Sequence, residues 1–239
     1  MGALYDRIGT GYTKVRGEDP RIAAAIDAAL GDARTVVNVG AGAGSYEPRD
    51  REVTAVEPSE VMIGQRPPGA ARVVQASAEA LPFADGAFDA AMTVLSHHHW
   101  TDQVAGLREM RRVARRAVNF MWDPACSLGW LVDDYLTSFK PTGLTAAEVA
   151  AILGARHVEP VPVPHDCRDG FLSAYWRRPY AYLDPGVRAG ISVFRLLPPA
   201  DVDDAMTRLA RDLDSGEWHR RHAELLELEA WDLGYRLVY

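Results

Sequence analysis

A chain of 239 residues, 48% hydrophobic and 25% charged, has the balance of one globular domain around a single sizeable core. Its formal net charge of −7 gives no general attraction to phosphate backbones or anionic membranes, which excludes nucleic acid and membrane as first-choice partners and favours a small molecule. Cys126 and Cys167 stand far apart with no CxxC pair, against a disulfide framework or structural zinc; with no signal-peptide pattern and no run of about 18 apolar residues, a cytoplasmic location is expected.

From residue 21 to about 122 the chain alternates helical and strand periodicities. "RIAAAIDAALG" sets Ile22, Ile26 and Leu30 on one helical stripe and stops at Gly31. Short β-branched or apolar runs follow at 34–40 ("RTVVNVG"), 52–58 ("EVTAVEP"), 71–76 ("ARVVQA") and 88–95 ("FDAAMTVL"), the last reading as a strand buried on both faces. "DQVAGLREMRRVA" (102–114) puts Val104, Leu107 and Met110 on a helix, and "RAVNFMW" (116–122) returns to strand. Arg111, Arg112, Arg115 and Arg116 read as a solvated face. Strands separated by helices predict an α/β fold: a Rossmann-like, doubly wound sheet, mostly parallel, with right-handed crossovers. Further on, "TAAEVAAILG" (145–154) is a helix with a Thr145/Glu148 capping box, and "HVEPVPVP" (157–164) is a Pro-rich strand suited to an edge. Aromatic-rich helical stretches fill 165–231, and "LGYRLVY" closes the chain as a strand expected to run antiparallel. The expected organisation is one domain: an N-terminal cap (1–20), a cofactor-binding core (21–164), a helical cover over the cofactor and substrate side (165–231) and the final strand (232–239).

Ligands of open parallel sheets bind beyond the carboxyl ends of the strands. The first such end is "VVNVGAGAGSYEP", where Gly40, Gly42 and Gly44 let bare backbone turn sharply and lie against a ligand. The next strand ends in Glu57, a carboxylate suited to both hydroxyls of an adenosine ribose. A dinucleotide site wants its third glycine five positions after the first; that position is Ser45, so the pattern leans away from NAD(P).

At these residues the chain resembles the class I S-adenosylmethionine-dependent methyltransferases, and the likeness runs over roughly residues 30–125. "VVNVGAGAGSYEP" resembles the first motif, with Asn38 in place of its usual Asp; "VTAVEPSEVMIGQRP" resembles the second, and "VVQASAEALPFADGAFDAAMTVLSHHHW" the third and fourth. The resemblance implies that Glu57 holds the ribose and Met62 covers one face of adenine. It further implies that Ala78 offers its backbone N–H to the base, that Glu79 lies near the exocyclic amine, and that Ser96 and His97 border the transferable methyl. In similar enzymes the N-terminal segment folds over the cofactor, where Tyr12 would face the methionyl part and Arg16 its carboxylate. The cofactor is then S-adenosyl-L-methionine, with S-adenosyl-L-homocysteine as product.

The run His97-His98-His99 leaves several roles open. On an extended strand His97 and His99 would lie about 6.5–7 Å apart on one side, but nothing in the spacing supplies a third ligand, so no metal is expected. His98 and His99 are the candidates for a general base or a polar clamp on the acceptor, with packing beneath the cover as the alternative. Trp122, Trp130, Tyr175 and Trp176 are the candidate lining of a mostly apolar acceptor pocket. The expected reaction is methyl transfer to an O, N or C nucleophile of a small molecule, by a monomer or homodimer. An NAD(P)-dependent reductase on a similar sheet, or a protein that binds the cofactor without transferring methyl, are the rivals.

Overall fold

The computed structural model describes residues 16–239. Asp19 opens the first helix, α1 (Pro20–Leu30): its side chain accepts the Arg21 N–H, Pro20 occupies the first turn, and Gly31 ends the helix at φ +59°. Its stripe of Ile22, Ile26 and Leu30 is fully buried, each residue contributing about 1.5–3 kcal/mol by removal from water. The strands follow closely where the β-branched runs place them: β1 (Thr35–Val39), β2 (Glu52–Val56), β3 (Arg72–Val74), β4 (Phe88–Val94) and β5 (Ala114–Trp122). Between them lie α2 (Glu60–Ile63) and α3 (Gln103–Val113). After β5 come α4 (Ala146–Leu153), with its Thr145/Glu148 capping box, and β6 (Val158–Pro160).

The proline-rich segment expected as one strand over 157–164 is two. β6 is the short edge of the main sheet, while β7 (Val163–Pro164) pairs antiparallel with β8 (Ala230–Trp231) in a separate two-stranded ladder. Proline at 160, 162 and 164 removes alternate backbone donors, so the segment cannot sustain one continuous ladder. The closing strand β9 (Tyr235–Val238) inserts between β5 and β6. The sheet order is β3-β2-β1-β4-β5-β9-β6, with β9 antiparallel to both neighbours and the β1–β5 pairs parallel, in agreement with the expected doubly wound sheet.

Both faces of this sheet are covered, which is why its strands are apolar at successive positions. Val37, Val39, Ala91 and Met121 pack with Leu107, Met110, Val149 and Leu153 of α3 and α4. Val36, Met92, Val118 and Phe120 pack with α1 and with the helices of the C-terminal half. Those helices, α5 (Pro185–Ala189), α6 (Ser192–Leu196), α7 (Pro199–Asp214) and α8 (Glu217–Arg221), bury Trp218, Leu209 and Phe194 in the same cluster as Ile22 and Val36. The cover thus shares its apolar interior with the sheet.

Two of the four arginines expected on a solvated face do more than solvate it. Arg116 donates from Nη1 to the carbonyl of Leu30 (2.7 Å) at the end of α1, and Arg112 binds Glu109, Asp85 and the carbonyls of Leu81 and Phe83. Their heads tie helix ends and a loop to the sheet, using cations where helix and turn carbonyls are unpaired.

Candidate cofactor and acceptor site

Strand order reverses between β1 and β4, so the loops leaving β1, β2 and β4 meet at the carboxyl edge of the sheet. The glycine turn takes positive φ at Gly40 (+69°), Gly42 (+52°) and Gly44 (+95°), a region closed to most side-chain-bearing residues. A Cβ at Gly40 would overlap the Ser96 hydroxyl and stand 3.1 Å from Trp100 Nε1. Ser96, just past β4, therefore lies directly against the glycine turn, and its Oγ accepts from Trp100 Nε1 (3.3 Å).

Glu57, 5% exposed at the tip of β2, accepts the Gly42 N–H on Oε2 (2.8 Å) and the Ser59 N–H on Oε1 (2.9 Å). A carboxylate held by two backbone amides is oriented, and when ionised its oxygens act only as acceptors. Ser59 also caps α2, which sets Met62, buried, with its Cε 3.2 Å from where a Gly42 Cβ would be. Bare backbone, an oriented carboxylate and a thioether face lie side by side.

Sequence reading missed what braces the back of this turn. The Arg66 side chain, 5% exposed, donates to Glu47 Oε1 (2.8 Å) and Oε2 (2.7 Å), to the Gly42 carbonyl (3.3 Å) and to the Ala71 carbonyl (3.2 Å). Glu47 Oε1 also accepts from Asn38 Nδ2 (3.2 Å). Tyr46, at φ +64°, holds the far end: its N–H donates to Glu18, and its hydroxyl accepts the Asp19 N–H and donates to Asp169 (3.0 Å). Burial, then the Asp169 charge, drives the Tyr46 hydroxyl far above the usual tyrosine range and keeps it a neutral donor. Only the extra carboxylate at Glu47, three residues behind the last glycine, could have hinted at this bracing.

Arg16 is in a bidentate ion pair with Asp169, itself 1% exposed, through Nε–Oδ1 and Nη2–Oδ2 (3.0 Å). Its guanidinium is thus anchored to the C-terminal half of the chain. Tyr12 lies outside the described residues. Ala78 is buried, packed under Gly106 of α3. The Glu79 carboxylate accepts the N–H groups of Thr101 (2.9 Å) and Asp102 (3.1 Å) and the Ser77 hydroxyl; against the raising effect of burial these bonds lower its pKa. Glu79 therefore secures the start of α3 beside the site.

The histidines do not continue the strand. Leu95 takes φ +47°, β4 ends, and His97–His99 form a single 3₁₀ turn, so the alternating geometry that would aim His97 and His99 to one side is absent. Among the described residues no group of three His, Cys, Asp or Glu is placed to hold an ion. His97 is buried, its Nδ1 3.3 Å from Asn119 Nδ2 on β5, and burial followed by the His98 charge pushes its pKa down to about 3. His98 is solvent-exposed, yet desolvation and then the Arg16 charge lower its pKa to about 4. The His99 ring lies 3.9 Å from that of His98, and its pKa is also lowered, by burial first.

The four aromatic candidates separate. Trp130 and Trp176 are 3% and 2% exposed and their indole N–H groups are taken by the carbonyls of Trp176 (2.8 Å) and Val163 (2.9 Å); they are core side chains, a correction to their expected place in a pocket wall. Trp130 meets Tyr135, Tyr182 and Trp218 edge-on at 5.1–5.9 Å between centroids, the preferred geometry of packed aromatics. Trp122, at the end of β5, is half-buried with an indole N–H that has no partner, and Tyr175 is half-buried beneath the Arg178 guanidinium. These two, unlike the other pair, keep part of their surface accessible.

Residues 37–121 match the family model of a methyltransferase domain. A protein of Anabaena variabilis attributed to methyl transfer in an antibiotic biosynthesis pathway is 32% identical, superposes with a TM-score of 0.85, and is covered over 98% of its length by 95% of this chain. An S-adenosylmethionine-dependent methyltransferase of Thermotoga maritima (21% identity, TM-score 0.51, 67% of this chain and 77% of that one) shares the fold. So does YcgJ of Bacillus subtilis (17%, 0.52, 92% and 95%). The uncharacterised Escherichia coli (strain K12) protein YafE is 51% identical over 41 residues, 17% of this chain and 20% of YafE, so the chain matches a fifth of that curated relative's length. The chain belongs to the class I S-adenosylmethionine-dependent methyltransferase family. Its glycine turn, Glu57 and Met62 fit the cofactor of that family: a Cβ at Gly40 or Gly42 would intrude on side chains already in contact, and the acid is held by the turn itself.

Proposed function

We propose that the protein transfers the methyl group of S-adenosylmethionine to an O, N or C nucleophile of a small molecule, releasing S-adenosylhomocysteine. The observation that carries this is the Gly42 N–H···Glu57 bond, which joins the side-chain-free turn to the strand-end carboxylate. When bound, the sulfonium supplies a methyl already activated for displacement, so the residues of the chain align the partners and exclude water. Gly40 and Gly42 allow backbone to approach the nucleoside, Glu57 accepts from the ribose, and Met62 bounds the adenine. Ser96 and His97 limit the methyl-bearing end, with Arg16 over the methionyl part.

The acceptor is assigned to the side of the turn bounded by His98, His99, Trp122 and Tyr175. An imidazole with a pKa near 4 is neutral at pH 7 and a weak base, which favours hydrogen bonding to the acceptor over proton removal. The net charge of −7 favours a small, mostly apolar acceptor over a nucleic acid. Among the described residues no helix is long and apolar enough to cross a membrane.

Calorimetric titration of the full chain with S-adenosylhomocysteine and, separately, NADPH tests the cofactor. Uptake of the first alone is expected, weakened at least about 10-fold in Glu57→Gln, a loss of about 1.4 kcal/mol. Uptake of NADPH alone overturns the proposal. Incubation with a labelled methyl donor and candidate acceptors then separates transfer from binding without transfer.

A further inference from the structure

Behind the glycine turn lies a buried charge cluster. Asn38, 1% exposed on β1, directs Nδ2 at Glu47 Oε1 (3.2 Å). Glu47 pairs with Arg66 at 2.7 Å, their side chains 9% and 5% exposed, and Arg66 reaches on to the Gly42 carbonyl. The amide orientation of Asn38 is fixed by chemistry: an ionised carboxylate only accepts, so the NH₂ group must face it. Gly42 is therefore gripped on both polar groups, its carbonyl by Arg66 and its N–H by Glu57. Gly44 completes the fit, since a Cβ there would meet Arg66 Nη1 at 3.2 Å and Glu47 Oε2 at 3.3 Å.

We infer that Arg66 is a positioning residue for the cofactor turn, and that Asn38 and Glu47 act as one unit of fixed total charge that holds it in place. A second carboxylate at position 38 would leave the cluster with two anions against one buried cation, and repulsion between them would draw Arg66 away from Gly42. Moving the single negative charge from position 47 to position 38 retains both the donor–acceptor pair and the charge balance. The side-chain identity at 38 is thus set by 47, and the affinity of the turn for the cofactor by both. This inference rests on S-adenosylmethionine being the ligand of the turn.

The experiment is a double-mutant cycle on the full-length protein: Asn38→Asp, Glu47→Gln, both together, and Arg66→Met beside Arg66→Lys. Each is read by calorimetric affinity for S-adenosylhomocysteine, by KM for S-adenosylmethionine against kcat, and by melting temperature. Each member of the 38/47 pair changed alone, and Arg66→Met, should raise the dissociation constant and KM by about 10-fold or more with kcat nearly kept; the exchanged pair should return to within about threefold of the wild type. Arg66→Lys should recover part of the loss, because an ammonium keeps the charge but cannot span Glu47 and Gly42 together. Should a single 38 or 47 variant not fold, the exchanged pair and the Arg66 variants still decide. A folded Arg66→Met protein that keeps the wild-type KM, or a folded exchanged pair whose KM stays raised about 10-fold or more, overturns the inference. A wild-type protein that takes up no S-adenosylhomocysteine sinks the functional proposal instead, a distinct outcome.

Discussion

The edge of the sheet after β1, β2 and β4 and the helical cover after β7 solve different problems with different chemistry. At the sheet edge, backbone is the working surface, and side chains hold it by charge: Glu57 and Arg66 grip Gly42, and Glu18 holds the Tyr46 N–H. In the cover, aromatic rings fill volume, with Trp176, Tyr182 and Trp218 all 2% exposed or less. Directional bonds fix a turn to tenths of an ångström at small net stabilisation, whereas apolar burial stabilises strongly and orients loosely. A residue's place in one region or the other therefore determines whether its loss is felt in binding or in folding.

The contrast is broken most readily by the largest expected effect. Trp176→Ala should destabilise the fold by about 3–5 kcal/mol in chemical denaturation, with cofactor affinity of the folded protein unchanged. If affinity collapses while stability holds, Trp176 belongs to the site and the two regions are not distinct. Gly40→Ala is the converse case. The strained φ costs about 1–2 kcal/mol, and the overlap with Ser96 should lower S-adenosylhomocysteine affinity by at least about 10-fold.

His98 stands where the regions meet. As a neutral clamp, its replacement by Ala should lower kcat about 10-fold without changing cofactor affinity, and the pH–rate profile should lack a limb between pH 6 and 8 that depends on this residue. A limb near pH 6.5–7 that vanishes in His98→Ala would identify a base. A further effect, spread over several pH units, is on acid stability. His97 has a folded pKa of about 3 against 6.5 for a free imidazole, so the unfolded chain takes up a proton first. Stability should be level above pH 7 and decline as pH falls from about 6.5 towards 3, and thermal melts of His97→Gln should show a shallower decline.

Short-range rules carried most of the fold. The Ile22–Ile26–Leu30 stripe, the β-branched runs and the Thr145 capping box depend on neighbours within a turn or a strand, and each element forms where its own residues require it. The glycine turn and Glu57 were equally legible, because a sharp turn at a strand end leaves few alternatives. The proline-rich edge split because its backbone donors are missing, a constraint that the amino-acid order contains but periodicity overlooks.

What the sequence determined by itself is the order of elements, the sheet they build and the glycine turn after its first strand, all local in origin. Only the tertiary structure decided that Trp130 and Trp176 are core, that His97–His99 leave the strand, and that Arg66 and Glu47 back the glycines. Those outcomes depend on which distant side chain fills the adjacent space. An aromatic ring or a charge has the same appearance in the chain whether packing later hides it or leaves it facing a ligand.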